Sequence, residues 1–129
     1  MIKKVGQIMV YVNDQDQAVT FWTDKMGFQV ISRQDNEQGM KWIELAPVVN
    51  AETTIILHNK QLIAKMQPEL NVGTPSLLFF TENVDELYRD LTAKNVTVGE
   101  IVSMPSGRVF NFSDSEGNYF AVMENANNK

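Results

Sequence analysis

The chain contains no cysteine. Disulfides, thiolate nucleophiles, Cys-ligated zinc and iron–sulfur clusters are therefore excluded, and a reducing compartment is the natural setting. Positive charge is scarce as well: 11 Lys and Arg stand against 16 Asp and Glu, for a net charge of −5. No basic run or basic helix gathers those cations, so a phosphate backbone would be repelled and no nucleic-acid partner is expected. No segment approaches the roughly 20 apolar residues needed to span a bilayer, and no apolar stretch follows Lys3 and Lys4 as in a secretory signal. The expectation is a cytoplasmic protein without a membrane partner. A Gly-rich phosphate loop and a nucleophile elbow are also missing.

What is present suffices for one domain. A chain of 129 residues, 43% hydrophobic and 21% charged, can bury one sizeable core but cannot hold several without internal repetition.

Periodicity supplies that repetition. Residues 5–12 alternate, with Val5, Gln7, Met9 and Tyr11 on one face and Ile8, Val10 and Val12 on the other, which is the period of a strand. Asn13 and Asp14 offer helix-capping chemistry. Ala18, Phe21, Trp22 and Met26 then form one apolar stripe on a helix of about three turns, which Gly27 ends. Strands are expected at 28–33, 40–45 and 53–58, so the first half reads βαβββ. Residues 59–75 hold Pro68, Gly73 and Pro75 and read as a linker with a short helix at 61–66. A strand at 76–81 follows, and Val84, Leu87, Tyr88 and Leu91 stand at i, i+3, i+4 and i+7 on a second amphipathic helix behind Glu82 and Asn83. Strands at 96–102, 108–113 and 118–124 complete a second βαβββ, the last two joined by a tight turn at Asp114-Ser115-Glu116-Gly117. Shifting one half by about 69 residues overlays the opening strand and helix of each, the usual trace of a duplicated unit. The tail at 125–129 is expected to be loose.

The order of these motifs carries a resemblance. The opening strand running into Asn13-Asp14, the Ala-x-x-Phe-Trp helix ending Met26-Gly27-Phe28, the strand Trp42-Ile43-Glu44-Leu45, and Met104-Pro105-Ser106-Gly107 before Asp114 to Asn118 resemble the vicinal oxygen chelate superfamily. That superfamily includes glyoxalases, bleomycin-resistance proteins and extradiol dioxygenases, and the resemblance runs through nearly the whole chain. It implies an α+β fold in which two tandem βαβββ modules form a cup-shaped mixed β-sheet with helices on the outer face. One domain is expected, with module 1 at about residues 4–58, the linker at about 59–75 and module 2 at about 76–124. The resemblance also implies a homodimer, module-swapped or side by side, with the cup as the binding site.

Alternation names the lining, since the aliphatic strand faces should pack on helices and leave the opposite faces to the cleft. It comprises Gln7, Met9 and Tyr11; Met40, Trp42 and Glu44; Ser76, Leu78 and Phe80; and Tyr119, Ala121 and Met123. Core filling is the plainer use of the same methionines and aromatics. Arg108, on a strand beside the cup, is a candidate for holding a substrate carboxylate or phosphate, although a solvated arginine is the commoner case.

Metal-dependent members of the superfamily carry four side-chain ligands. The resemblance places those positions at Gln7, Glu44, Ser76 and Ala121. Glu44 is a proper oxygen ligand and Gln7 an acceptable one, but Ser76 is weak and Ala121 has no donor atom. A slip of one residue would substitute Pro75 or Leu77, and Phe120 or Val122, none of which ligates. His58 lies on a strand next to that of Glu44, and a lone strand-end histidine is more often a surface or hydrogen-bonded residue than a ligand. Glu124 falls on the face opposite Ala121. No metal or other cofactor is therefore expected, with a divalent metal as the alternative. Glu44 in an apolar cup can serve as a general base, or as a buried carboxylate paired with Gln7 or Tyr11.

Two functions follow. One is a binding protein of the drug-resistance type, holding an aromatic or amphipathic small molecule by stacking on Tyr11, Trp42, Phe80 and Tyr119, with Glu44 free to pair with a cation. The other is a metal-dependent lyase, isomerase or dioxygenase, which needs three or more donors around one point.

Overall fold

The computed structural model describes residues 1–125; the expected loose tail at 125–129 lies outside the described residues from 126 onward. The chain forms two units that divide at Pro75 and Ser76, each with its own four-stranded sheet.

In the first unit, β1 (Gln7–Val12) is followed by α1 (Gln15–Thr20), β2 (Gln29–Asp35), β3 (Lys41–Ala46), β4 (Thr54–Asn59) and α2 (Lys60–Met66). The sheet order is β1-β4-β3-β2, with β1 parallel to β4 and the other pairs antiparallel. Val10 and Val12 of β1, Ile43 and Leu45 of β3 and Ile55 and Leu57 of β4 are buried. Asp14 caps α1, its carboxylate accepting from Gln17 N. The helix does not run three regular turns. It widens into a π-turn over Phe21–Lys25, in which Met26 N reaches back to Phe21 O. The wide turn still buries Phe21 and the fully enclosed Trp22, whose ring packs 5.0 Å from that of Phe28. Gly27, at φ +77°, reverses the chain where an L side chain would be strained.

The second unit repeats the plan. It contains β5 (Leu78–Thr81), α3 (Val84–Ala93), β6 (Val102–Met104), β7 (Gly107–Ser113) and β8 (Tyr119–Glu124), in the sheet order β5-β8-β7-β6. Phe110, Phe112, Phe120 and Val122 are buried with Val84 and Leu91 of α3.

Two expected strands are corrected here. The one at 76–81 begins only at Leu78, so Ser76 precedes the sheet. The one at 96–102 is broken. Val96 belongs to the helix end instead: its N–H bonds Leu91 O at 3.0 Å behind Asn95 at φ +64°, the six-to-one closure of a helix C-terminus. Val98 then makes a single bridge to Phe112, and the regular strand forms later, at Val102–Met104.

The turn between β7 and β8 depends on one buried side chain. Asp114 Oδ1 accepts from Glu116 N at 2.9 Å and Asn118 N at 2.8 Å, and Oδ2 accepts from Asn118 Nδ2 at 3.1 Å. Removing it strands backbone donors, so Asp114→Ala should cost about 2 kcal/mol of stability, read as a lower midpoint in urea denaturation, whereas Asp114→Asn should retain most of it.

Candidate functional site

The first sheet keeps one face open, and strand register decides which side chains meet there. Across the sheet, Tyr11 of β1 pairs with His58 of β4, which pairs with Trp42 of β3. One residue pair away, Met9 lies opposite Ile56, and Ile56 opposite Glu44. Gln7 lies opposite Thr54. Met40 sits just before β3 and closes the β2–β3 turn through Asn36, whose Oδ1 accepts from Met40 N at 3.0 Å.

The aromatic row is continuous. The Tyr11 and His58 rings stack at 5.8 Å and 24°, and His58 lies 6.5 Å from Trp42 at 32°. His58 Nε2 is 3.3 Å from Met9 Sδ. Reading His58 as an isolated strand-end residue missed this, because the parallel β1–β4 pairing that brings it between two aromatics leaves no local mark in the sequence. A separate cleft of about 340 Å³ lies at the β2–β3 edge toward the helix side, where Gln15 and Asp16 of α1 line it together with Arg33, Asp35, Lys41 and Ile43.

Glu44 is held by neutral hydroxyls. Ser32 Oγ donates to Oε1 at 3.2 Å and Thr54 Oγ1 donates to Oε2 at 2.8 Å. These donors replace the expected Gln7 and Tyr11. Ser32 reaches Glu44 because β2 carries a register shift between Val30 and Ser32, and a bulge re-aims the side chain that follows it. Simple alternation cannot see such a bulge.

The second sheet has an open face of different character. Leu78 pairs with Ala121, which pairs with Asn111; Phe80 pairs with Met123, which pairs with Val109. Phe80 and Tyr119 are 63% and 59% exposed, so the face is apolar and carries no carboxylate. Arg108 is not on it. Its guanidinium turns to the helix side, where Nη2 meets Asp85 Oδ2 of α3 at 2.9 Å and Glu124 Oε1 at 2.8 Å, and Nη1 meets Asp85 Oδ1 at 3.2 Å. The hydrogen bond from Arg108 holds the Asp85 carboxyl below its ordinary range, and both carboxylates raise Arg108. The expected role of Arg108 toward a substrate anion is corrected to one of fastening α3 to its sheet.

The donor set does not fit a divalent ion. Gln7 and Glu44 stand in different rows of the first sheet, Ser76 is off its strand and Ala121 has no donor. Among the described residues, no three His, Asp or Glu side chains gather as a metal site would require.

With this geometry in place, comparison gives the family. The model of the Glyoxalase/Bleomycin resistance protein/Dioxygenase superfamily matches residues 4–122, and the chain belongs to that superfamily. It is similar to YetH, an uncharacterized protein of Bacillus subtilis (strain 168), at 32% identity, with 96% of this chain and 100% of YetH covered. Among solved structures it is similar to TnmS3, an antibiotic binding protein from Streptomyces sp. CB03234, at a TM-score of 0.81 and 27% identity, with 97% of this chain and 98% of TnmS3 covered. A member of the same superfamily from Sphaerobacter thermophilus DSM 20745 matches at a TM-score of 0.80 and 26% identity, with 95% and 98% covered. No helix among the described residues is long and apolar enough to cross a membrane.

Burial disfavours the charged form of His58 and lowers its pKa below the ordinary value of 6.5. The ring should therefore be neutral at pH 7 and titrate below 6.5 in an NMR pH series. The sign for stability follows. As pH falls, the unfolded chain takes up the proton first, so stability should rise with pH between the folded and unfolded pKa values, and His58→Ala should flatten that slope.

Proposed function

We propose that this chain is a binding protein of the glyoxalase and bleomycin-resistance type that takes a small aromatic or amphipathic molecule without needing a divalent metal. The observation that carries the reading is the row Tyr11–His58–Trp42, three rings presented side by side on an open sheet face. Ring stacking is worth about 0.5–1.5 kcal/mol per pair beyond buried area, and Met9 beside it can adapt to the shape of a guest. TnmS3, an antibiotic binding protein, supports a holding role over a catalytic one. In this reading Glu44 is an anchor rather than a general base, because Ser32 and Thr54 fix its two oxygens. Gln7 and Met40 border the face, and Leu78, Phe80, Tyr119, Ala121 and Met123 serve as the second unit's own binding face. The exposure of Phe80 and Tyr119 also suits a homodimer, and the working location is the cytoplasm.

Trp42 is the natural reporter, since Trp22 is fully buried. In chelator-treated buffer, aromatic compounds should quench part of the fluorescence, and Trp42→Phe should remove that part of the response. Trp42→Ala should weaken binding about tenfold, read by calorimetry. Metal analysis of the purified protein, followed by titration with Ni, Zn, Fe and Mn, tests the competing reading. A stoichiometric ion lost in Glu44→Ala, with no aromatic binding in its absence, would replace this proposal with a metal-dependent enzyme.

A further inference from the structure

The open face of the first sheet carries a charge with no counter-charge. Glu44 is half-buried, and its two hydrogen-bond donors are hydroxyls, which orient a carboxylate without neutralising it. The ion pairs of the described residues join Lys94 to Asp90 and Arg108 to Asp85 and Glu124; none reaches Glu44. A partly desolvated carboxylate in that position favours an incoming cation.

Resting on the binding role above, we infer that the face selects cationic aromatic ligands, an aryl ring carrying a protonated amine, and that Glu44 is the residue that sets this preference. The geometry supplies both halves of such a ligand's site. Glu44 and Trp42 are two residues apart on β3, so their side chains leave the same face about 7 Å apart. An amine two or three bonds from a ring can therefore meet the carboxylate while the ring lies on Trp42 and His58. A carboxylate offers about four acceptor positions; Ser32 and Thr54 occupy two, which leaves room for an ammonium. An anionic ligand finds no compensation, since Gln7, Met9, Ile56 and Ser32 are uncharged and burial keeps His58 toward its neutral form.

The test is calorimetry in chelator-treated buffer with three probes sharing one ring: naphthylethylamine, naphthylethanol and naphthylacetate. The amine should bind at least about tenfold more tightly than the alcohol, which corresponds to one charge-assisted hydrogen bond, and the acetate should bind more weakly than the alcohol. Glu44→Gln keeps the size of the side chain and removes its charge; its amide oxygen can accept from one hydroxyl while its NH2 donates to the other. In that variant the amine should bind no more tightly than the alcohol. Equal binding of the amine and the alcohol by the unsubstituted protein would overturn the charge preference and leave the aromatic binding role standing. A preference that survives Glu44→Gln would assign it to the overall charge of −5 and overturn the role of Glu44. Binding of none of the three probes would overturn both the inference and the function on which it rests.

Discussion

The candidate site depends on where β4 is held. This strand is hydrogen-bonded on both sides, parallel to β1 and antiparallel to β3, and Thr54, Ile55, Ile56 and Leu57 are all buried. Because side chains alternate, a slip of one residue would send His58 to the helix side and bring Leu57 onto the open face. Burial of Ile55 and Leu57 against Val10, Val12, Ile43 and Leu45 therefore does more than build a core. It fixes the register that sets His58 between Tyr11 and Trp42 and brings Thr54 within reach of Glu44.

The two units share strand order but not chemistry. Both place the first strand parallel to the last and the second at the far edge, as expected of a duplicated element. The first unit uses that frame to present a carboxylate and an aromatic row. The second presents Leu78, Phe80 and Tyr119 on its open face and uses its charged residues on the other side, where Arg108 joins Asp85 to Glu124. A scaffold of this kind keeps its backbone pairing while the side chains of the open face diverge.

Much of this was legible in the sequence because it rests on short-range periodicity. The alternation of Gln7, Met9 and Tyr11 against Val10 and Val12 located the open face of β1, the Val84, Leu87 and Leu91 spacing located α3, and Asp114 with Gly117 located the last hairpin. The illegible parts are those that depend on pairing between distant strands or on departures from regular period. His58 gained its neighbours through a parallel pairing 47 residues away in sequence, from Tyr11 to His58. Ser32 reached Glu44 through a bulge, and Val96 closed a helix rather than opening a strand. Arg108 was misread because its strand register alone does not reveal that carboxylates from a helix and a neighbouring strand are waiting on the other side.

The central claim is that the open face of the first sheet, anchored at Glu44 and floored by Tyr11, His58 and Trp42, is where this protein meets its ligand. Side-chain NMR during titration with naphthylethylamine in metal-free buffer tests it most directly. The account expects the largest shifts at the Trp42 indole N–H, the His58 and Tyr11 rings and the Met9 methyl, with the buried Trp22 indole N–H little changed. Shifts confined to other residues, with these four signals unmoved at saturation, would contradict it.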